Sequence, residues 1–289
     1  MSTTAEAAAL DLVARVVEEM QNEHFELPGF PEAVLRIQRT LDSPDASTDD
    51  VVRILSSEPA LAAQALRLAN SAALRPADGE ITDLRKAVTR LGFNVVRAVA
   101  AAFAIRQLRL REGVSAEVRA EVESIWRDSV TVASVCAVLA RHCTDVNPDE
   151  ALLAGLLHVL GRLYIVMRAE GIGAPPDPSL RAAEAHHALI GKAILAGWGL
   201  PAALQQAVER QDDVDYDEEP VSATHVLIAA KRLAAMGAQA GPRTGEPAHA
   251  ADAACPAIDR IAAGRDKSPV DALQEHADEI RALQQSLAA

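Results

Sequence analysis

The stretch EALLAGLLHVLGRLYIVM, from Glu150 to Met167, decides the fold of this chain. Between Ala151 and Gly161 it carries no charged side chain, and its apolar residues cover every face of a helix. Such a helix is either a membrane span or the central helix of a folded domain, and the uncharged run is well short of the ~20 residues that a span needs. We therefore predict the buried axial helix of an all-helical domain.

The composition of the 289-residue chain favours helix throughout. Alanine and leucine dominate, aromatic residues make up only 3%, and no run of β-branched residues alternates as a strand would. The sequence therefore predicts an all-α, multi-helix bundle of two packed helical subdomains. The net charge of −13 opposes attraction to nucleic acid and to anionic lipid, so we expect neither nucleic acid nor a membrane as a partner.

The N-terminus and the cysteines bear on the cellular compartment. The first 20 residues lack the basic start and the continuous apolar core of a signal peptide, which predicts a cytoplasmic protein. Cys136 and Cys143 lie seven residues apart on a predicted helix, roughly 10 Å along its axis, which is too far for a disulfide. Cys255 stands in a loop-like stretch and fits no metal-ligand spacing. We expect Cys136 and Cys143 to be reduced core residues.

Several motifs lie in a fixed order along the chain. The first half contains LPGFP at 27–31, EPAL at 58–61, LRLANSA at 66–72 and a helical segment that ends at Gly92. The second half contains GLLHVLG at 155–161, followed by Glu184, His187, Gly191 and the string Trp198-Gly199-Leu200-Pro201. Together these motifs resemble the HDOD family, the HD-related output domain of bacterial signalling proteins. The resemblance covers roughly residues 27–235 and implies that the second half is a degenerate HD-domain-like fold.

The resemblance and the composition divide the chain into five parts. Residues 236–269 are rich in Gly, Pro and Ala, which is typical of a linker, and an apolar stripe follows them. The predicted parts are an N-terminal helix at 1–26, an N-terminal helical subdomain at 27–112, an HD-like subdomain at 113–235, a linker at 236–269 and a C-terminal helix at 270–289.

The resemblance also implies where a metal centre would lie. Relatives of this fold that hydrolyse phosphate esters use two histidines and two aspartates to hold a divalent ion, which activates water. The corresponding positions here are Asp128, His158, Val159 and Lys231, so one ligand of four remains. A valine cannot coordinate, and a lysine ammonium repels a cation. The resemblance thus implies vestigial positions with no catalytic residue, no metal and no cofactor.

A weaker hypothesis assigns the binding of a ligand or partner to a set of polar and aromatic residues, and each of them has a structural alternative. Asparagine and serine also suit the end of a helix, tryptophans suit the core, and a lone histidine on an apolar helix is usually neutral and bonded to a carbonyl. His186 and His225 could assist this set. The set is Asn70, Ser71, Trp126, His158, His187 and Trp198.

An acidic stretch resembles the start of a calcium loop. Asp213, Asp215 and Asp217 have the right spacing, but Glu218 stands at the sixth position and Thr224 at the twelfth, where such a loop needs glycine and glutamate. A solvated acidic loop is the better interpretation.

The resemblance predicts a non-catalytic regulatory module that acts in signal transduction through protein–protein interaction. Its expected partner is a signalling protein, and the sequence leaves undecided whether the chain also forms a homo-oligomer. Two alternatives remain at this point. One is a divergent metal-dependent phosphohydrolase of the HD superfamily, and the other is a sensor that binds a nucleotide second messenger in the vestigial pocket.

Overall fold

The fold was taken from a computed structural model, which describes residues 32–43, 45–70, 81–108, 115–171, 185–197, 200–239, 255–263, 265 and 267–288. Every regular element in these ranges is a helix, which confirms the predicted all-α class. The predicted helix at 1–26 lies outside the described residues, as do Ser71 and Trp198.

Thirteen helices lie within the described residues. The first subdomain contains α1 (Glu32–Asp42), α2 (Thr48–Ser56), α3 (Pro59–Ala69) and α4 (Leu84–Leu108). The second contains α5 (Ala116–Cys143), α6 (Pro148–Leu157), α7 (Leu160–Gly171), α8 (His187–Gly197), α9 (Ala202–Glu209) and α10 (Ala223–Gln239). The C-terminal part contains α11 (Pro256–Ala262), α12 (Pro269–Glu275) and α13 (Ala277–Ala288).

The helix starts follow from capping residues in the sequence. Ser47, followed by Asp49 and Asp50, predicts the start of a helix, and in the structure Ser47 forms a capping box with Asp50 at the start of α2. Asp83 caps α4 by accepting a hydrogen bond of 2.9 Å from the backbone N–H of Lys86. Within α4, Gly92 has a φ of 73°, a left-handed conformation that a residue with a Cβ rarely adopts, and the helix kinks there. The prediction of a turn at Gly92 is therefore confirmed.

The axial segment is buried as predicted, but it is two helices instead of one. All residues from Ala151 to Leu157 are buried in α6, which packs along the long helix α5. The helix breaks at His158 and Val159, before α7 begins. The His158 ring bonds the carbonyl of Gly155, which an unbroken helix would offer to the N–H of Val159, and this competition explains the break.

The segment Pro148–Met167 is the only one among the described helices that is long and apolar enough to cross a membrane, judged by length and composition. Its most apolar window is 83% buried inside the bundle, so the protein itself covers this surface. A core helix of a folded domain passes the same test as a membrane span.

One hydrophobic cluster includes residues of both subdomains and of the C-terminal helices. The contact between the subdomains is made by α4, which packs against α5 and α6. Small residues permit close approach of helices within the second subdomain, where Gly155 of α6 faces the backbone of Ala133 in α5.

The predicted linker at 236–269 and the single C-terminal helix at 270–289 need correction. Residues 256–262 form α11, which packs on α10 with Ala257 and Ile261 buried. Cys255, predicted to stand in a loop, is buried beside Tyr216. The last segment is divided at His276 into α12 and α13, and α13 docks on α5 through Leu283 and Leu287. Residues 240–254 of the predicted linker lie outside the described part.

Candidate functional site

A cavity of about 480 Å³ lies where α5, the break between α6 and α7, and α10 meet. At this cavity the fold brings together the predicted vestigial positions, which lie far apart along the chain. Its lining residues are Asp128, Thr131, Val132, His158, Val159, Arg162, His187, Gln211, Asp212, Lys231, Ala234 and Ala235.

His158 is held at the floor of the cavity as a neutral side chain. Its Nδ1 lies 2.7 Å from the carbonyl oxygen of Gly155, and because a carbonyl only accepts, Nδ1 must carry the proton. Burial lowers the pKa of His158 to about 3, and the positive charge of Lys231 adds to this effect. The imidazole is therefore uncharged at neutral pH.

Lys231 supplies a positive charge on the opposite wall. Its Nζ donates to Oε1 of Gln211 at 2.8 Å and to Oδ1 of Asp212 at 2.6 Å. Burial lowers the pKa of Lys231, while the carboxylate of Asp212 opposes that shift. The ammonium is thus kept charged by an internal counter-ion.

Gln211 and Asp212 line the cavity together with the predicted positions, although the sequence did not mark them as site residues. The buried amide of Gln211 donates to the carbonyl oxygens of His158 at 3.1 Å and Val208 at 2.9 Å, so it connects the end of α9 to the break after α6. Oδ2 of Asp212 lies 3.3 Å from Nε2 of His187. Burial alone would raise the pKa of Asp212, but the positive charge of Lys231 and the hydrogen bond from its ammonium group lower it. Both residues belong to an acidic stretch in which no local signal marks them.

A model of the HDOD domain matches residues 27–214. The chain belongs to the HDOD family. A protein of Treponema pallidum (strain Nichols), described as uncharacterized, is 27% identical over 197 residues, which are 61% of this chain and 36% of that protein. The HDOD chain thus spans about a third of the length of the curated relative that it matches.

Solved structures share the fold of this HDOD chain. A protein of Shewanella amazonensis SB2B, provisionally named a metal-dependent phosphohydrolase, is similar with a TM-score of 0.68 at 23% identity, covering 97% of this chain and 99% of that one. A protein of Marinobacter aquaeolei VT8, provisionally named a signal transduction protein, has a TM-score of 0.52 at 22% identity, covering 98% and 66%. At these identities the likeness shows the fold alone.

The side chains of this HDOD cavity do not fit a catalytic metal. Val159 has no ligand atom, and Lys231 brings a positive charge to the cavity. Asp128 lines the rim and is exposed. In the described part of the chain, no three His, Cys, Asp or Glu side chains of the cavity bring their ligand atoms within 4.8 Å of one another.

Three other residues singled out by the sequence lie outside the HDOD cavity. Trp126 is 3% exposed and belongs to the hydrophobic core. His225 is buried, and its Nδ1 accepts a hydrogen bond of 3.2 Å from the backbone N–H of Ser222. His186 precedes α8 and is not among the lining residues.

The acidic stretch after α9 is used in ion pairs. Asp213 lies 3.5 Å from Arg210 and Asp217 lies 2.7 Å from Arg260 of α11. Arg260 also bonds Glu219, so it fastens α11 to this stretch. These contacts use Asp213 and Asp217, two of the three aspartates that resembled a calcium loop.

Asn70 of the HDOD motif joins the two ends of the segment 71–80. Its Nδ2 donates to the carbonyl oxygens of Leu66 at 2.9 Å and Ile81 at 2.7 Å, and its Oδ1 accepts from the N–H of Ile81 at 2.7 Å. The amide therefore finishes α3 and fixes the start of the next element, which is the structural alternative for this residue.

We expect Asn70→Asp to lower the free energy of unfolding by about 1–3 kcal/mol, because a carboxylate cannot donate to the two carbonyls and leaves them without their partner. Urea denaturation followed by circular dichroism measures the change. The neighbouring Arg67→Gln is a matched control on the same helix, and we expect it to stay within about 0.5 kcal/mol of wild type. Equal stabilities of Asn70→Asp and wild type would contradict the proposed role.

Proposed function

We propose that this HDOD domain is a non-catalytic signal-transduction module that acts by binding a protein partner. The observation that carries the proposal is the position of Lys231, whose ammonium group, paired with Asp212 and Gln211, stands where the resemblance places a metal-binding aspartate. The cavity therefore holds its own positive charge.

Coulomb's law gives the reason why this arrangement opposes hydrolysis. A divalent ion in the same cavity would lie close to the ammonium, and their repulsion grows as the surroundings exclude water. Asp212 cannot bind the ion without losing its ion pair with Lys231, and Val159 has no atom that could act as a ligand instead. Water activation by a bound metal has no support from these residues.

Two further features support the signalling part of the proposal. The Marinobacter protein of the same fold is provisionally named a signal transduction protein. The chain also keeps a negative charge of −13, which opposes nucleic acid and anionic lipid as partners and leaves a protein as the better candidate. We also propose a cytoplasmic location, a reducing compartment in which the three buried free cysteines stay reduced.

A sensor for a nucleotide second messenger is the second candidate, favoured by the cavity itself. Its volume of about 480 Å³ is that of a small-molecule site. However, the cationic groups on its walls already have anionic partners: Lys231 pairs with Asp212, and Arg162 bonds Glu121 at 2.5 Å. A phosphate would have to compete with these carboxylates.

The proposal is tested by two measurements on the purified full chain. In the first, cyclic dinucleotides and nucleotides are incubated with the protein and Mn²⁺, Fe²⁺ or Zn²⁺, and we expect no hydrolysis above the metal-only blank. Hydrolysis that is retained in His186→Ala and abolished by His158→Ala would overturn the proposal and restore the phosphohydrolase alternative.

The second measurement identifies the partner. The tagged protein is used for affinity capture from a native lysate with identification by mass spectrometry, and each captured candidate is then titrated in purified form. We expect saturable one-to-one binding by a signalling protein. Saturable binding of a cyclic dinucleotide or nucleotide that is lost in Lys231→Met, without any protein partner, would favour the sensor instead.

A further inference from the structure

Two histidines and a glutamate meet at the far end of α5 from the cavity. His142 belongs to the last turn of α5, His276 stands between α12 and α13, and Glu279 lies in the first turn of α13. Their ligand atoms all lie within 4.8 Å of one another. Two segments that are distant in sequence, the end of α5 and the junction of α12 and α13, thus bring three metal-binding side chains to one point.

The distances within this group are close to those between the ligands of a zinc centre. One carboxylate oxygen, Oε2 of Glu279, faces both imidazoles, at 3.1 Å from Nε2 of His142 and 3.8 Å from Nδ1 of His276. Ligands of a tetrahedral Zn²⁺ with bonds of about 2.0–2.1 Å lie about 3.3 Å apart. The imidazole rings are stacked with centroids 3.6 Å apart and an angle of 7° between planes. Because a metal lies near the plane of each imidazole that binds it, one ring has to turn before both nitrogens can bind the same ion.

The surroundings hold the glutamate in place. Its other oxygen, Oε1, accepts a hydrogen bond from Arg141, the residue before His142. The side chain of Glu279 is only 16% exposed, and those of the two histidines are 27% and 29% exposed. A carboxylate that is oriented by an outer partner and directed at two imidazoles is typical of a metal ligand with its supporting shell.

This group is separate from the vestigial cavity. His142 lies 14 residues after Asp128 on the same helix, which corresponds to about 20 Å along the axis. A metal here would therefore be independent of the proposed function, and it would differ from the expectation that the chain binds no metal.

We propose that His142, His276 and Glu279 form a Zn²⁺ site with a fourth position open to water. Two imidazoles and one carboxylate suit Zn²⁺, and three protein ligands with a water are a common zinc arrangement. Because the ligands come from α5 and from the junction of α12 and α13, the bound ion fastens the C-terminal helices to the bundle. Zn²⁺ binding and the docking of this segment are thermodynamically coupled.

The test titrates ZnCl₂ into the chelator-treated full chain by isothermal titration calorimetry. We expect one Zn²⁺ per chain, and affinity at least about tenfold weaker in His142→Gln and in His276→Gln. His186→Ala is the matched control, since it removes a histidine elsewhere and should bind like wild type. Co²⁺ in place of Zn²⁺ should give the visible absorption of tetrahedral coordination, and this absorption should be lost in His276→Gln.

Further variants separate the alternatives. Glu279→Gln also breaks the pair with Arg141, so a loss of thermal stability that Arg141→Met shares belongs to the ion pair and not to the metal site. Circular dichroism checks that each variant is folded, and the partly exposed His142 provides a second variant if His276→Gln does not fold. The proposal fails if no saturable binding is seen. It also fails if binding is unchanged in both histidine variants, or if it depends on Cys143 or His158 instead.

Discussion

Gly161→Ala is expected to lower the free energy of unfolding by more than about 3 kcal/mol, because the helices α7 and α8 touch at this glycine. An added Cβ would lie 1.8 Å from the carbonyl oxygen of His187 and 2.8 Å from the backbone nitrogen of Gly191. Both neighbours are backbone atoms, so relief requires the two helices to move apart. The better helix propensity of alanine offsets only about 1 kcal/mol of this steric cost.

Gly191→Ala on the facing helix is the matched control for this experiment. Its added Cβ would meet Cγ1 of Val208 at 2.8 Å, which is the end of a side chain, and the backbone of Gly161 only at 3.5 Å. Val208 is fully buried and has little room to move, so we expect a loss of about 1–2 kcal/mol, which is smaller than that of Gly161→Ala. Both variants are measured by urea denaturation at equal protein concentration. If Gly161→Ala were as stable as Gly191→Ala, the described contact between α7 and α8 would be wrong.

The sequence was sufficient to predict the parts of the fold that depend on local signals. The cap at Ser47, the turn at Gly92 and the apolar axial stretch are determined by residues close together in the chain, and the structure places each as predicted. Gly155 and Gly161 were found through the family motif, but their physical reason is a contact with another helix. A single sequence contains no direct record of such contacts.

The predictions of a linker and of one unbroken axial helix were wrong because the local signals behind them occur in more than one kind of structure. Pro256 and Pro269 are typical of a linker by composition, yet each stands in the first turn of a helix. The missing N–H of proline costs nothing there, because the first N–H groups of a helix have no partner within it. The break at His158 depends on its bond to Gly155, and periodicity does not reveal a side chain that competes with the backbone. The helix starts at the two prolines and the helix break at His158 could therefore not be predicted without the tertiary structure.

The candidate site likewise contains some residues that the sequence could identify and others that only the tertiary structure reveals. Asp128, His158, Val159 and Lys231 could be named from the resemblance, and the fold brings them to one cavity. Asp212 could not be named, because it is one of several acidic residues in a stretch that composition marks as solvated. Its role comes from facing Lys231 and His187 across the cavity.

The stability of the protein is expected to fall by about 1.5–2 kcal/mol between pH 6.5 and pH 5 because of His158 alone. Burial, with a contribution from Lys231, lowers the pKa of His158 in the folded protein to about 3, whereas the unfolded chain has an ordinary value of about 6.5. The unfolded state therefore binds the proton first as the pH falls. The stabilisation is fully present above the unfolded pKa and is lost progressively towards pH 3.

His158→Asn isolates this contribution, because its amide can still donate to the carbonyl of Gly155 but does not titrate. Urea denaturation of both proteins at half-unit pH steps, with chelator present, should show a smaller slope of unfolding free energy against pH for the variant. Asp212 and His225 also have lowered pKa values and change stability in the same direction, but both proteins retain them and their effect cancels in the comparison. Parallel pH profiles would mean that His158 is solvated and titrates normally. The neutral imidazole at the floor of the cavity, and with it the account of the helix break, would then have to be abandoned.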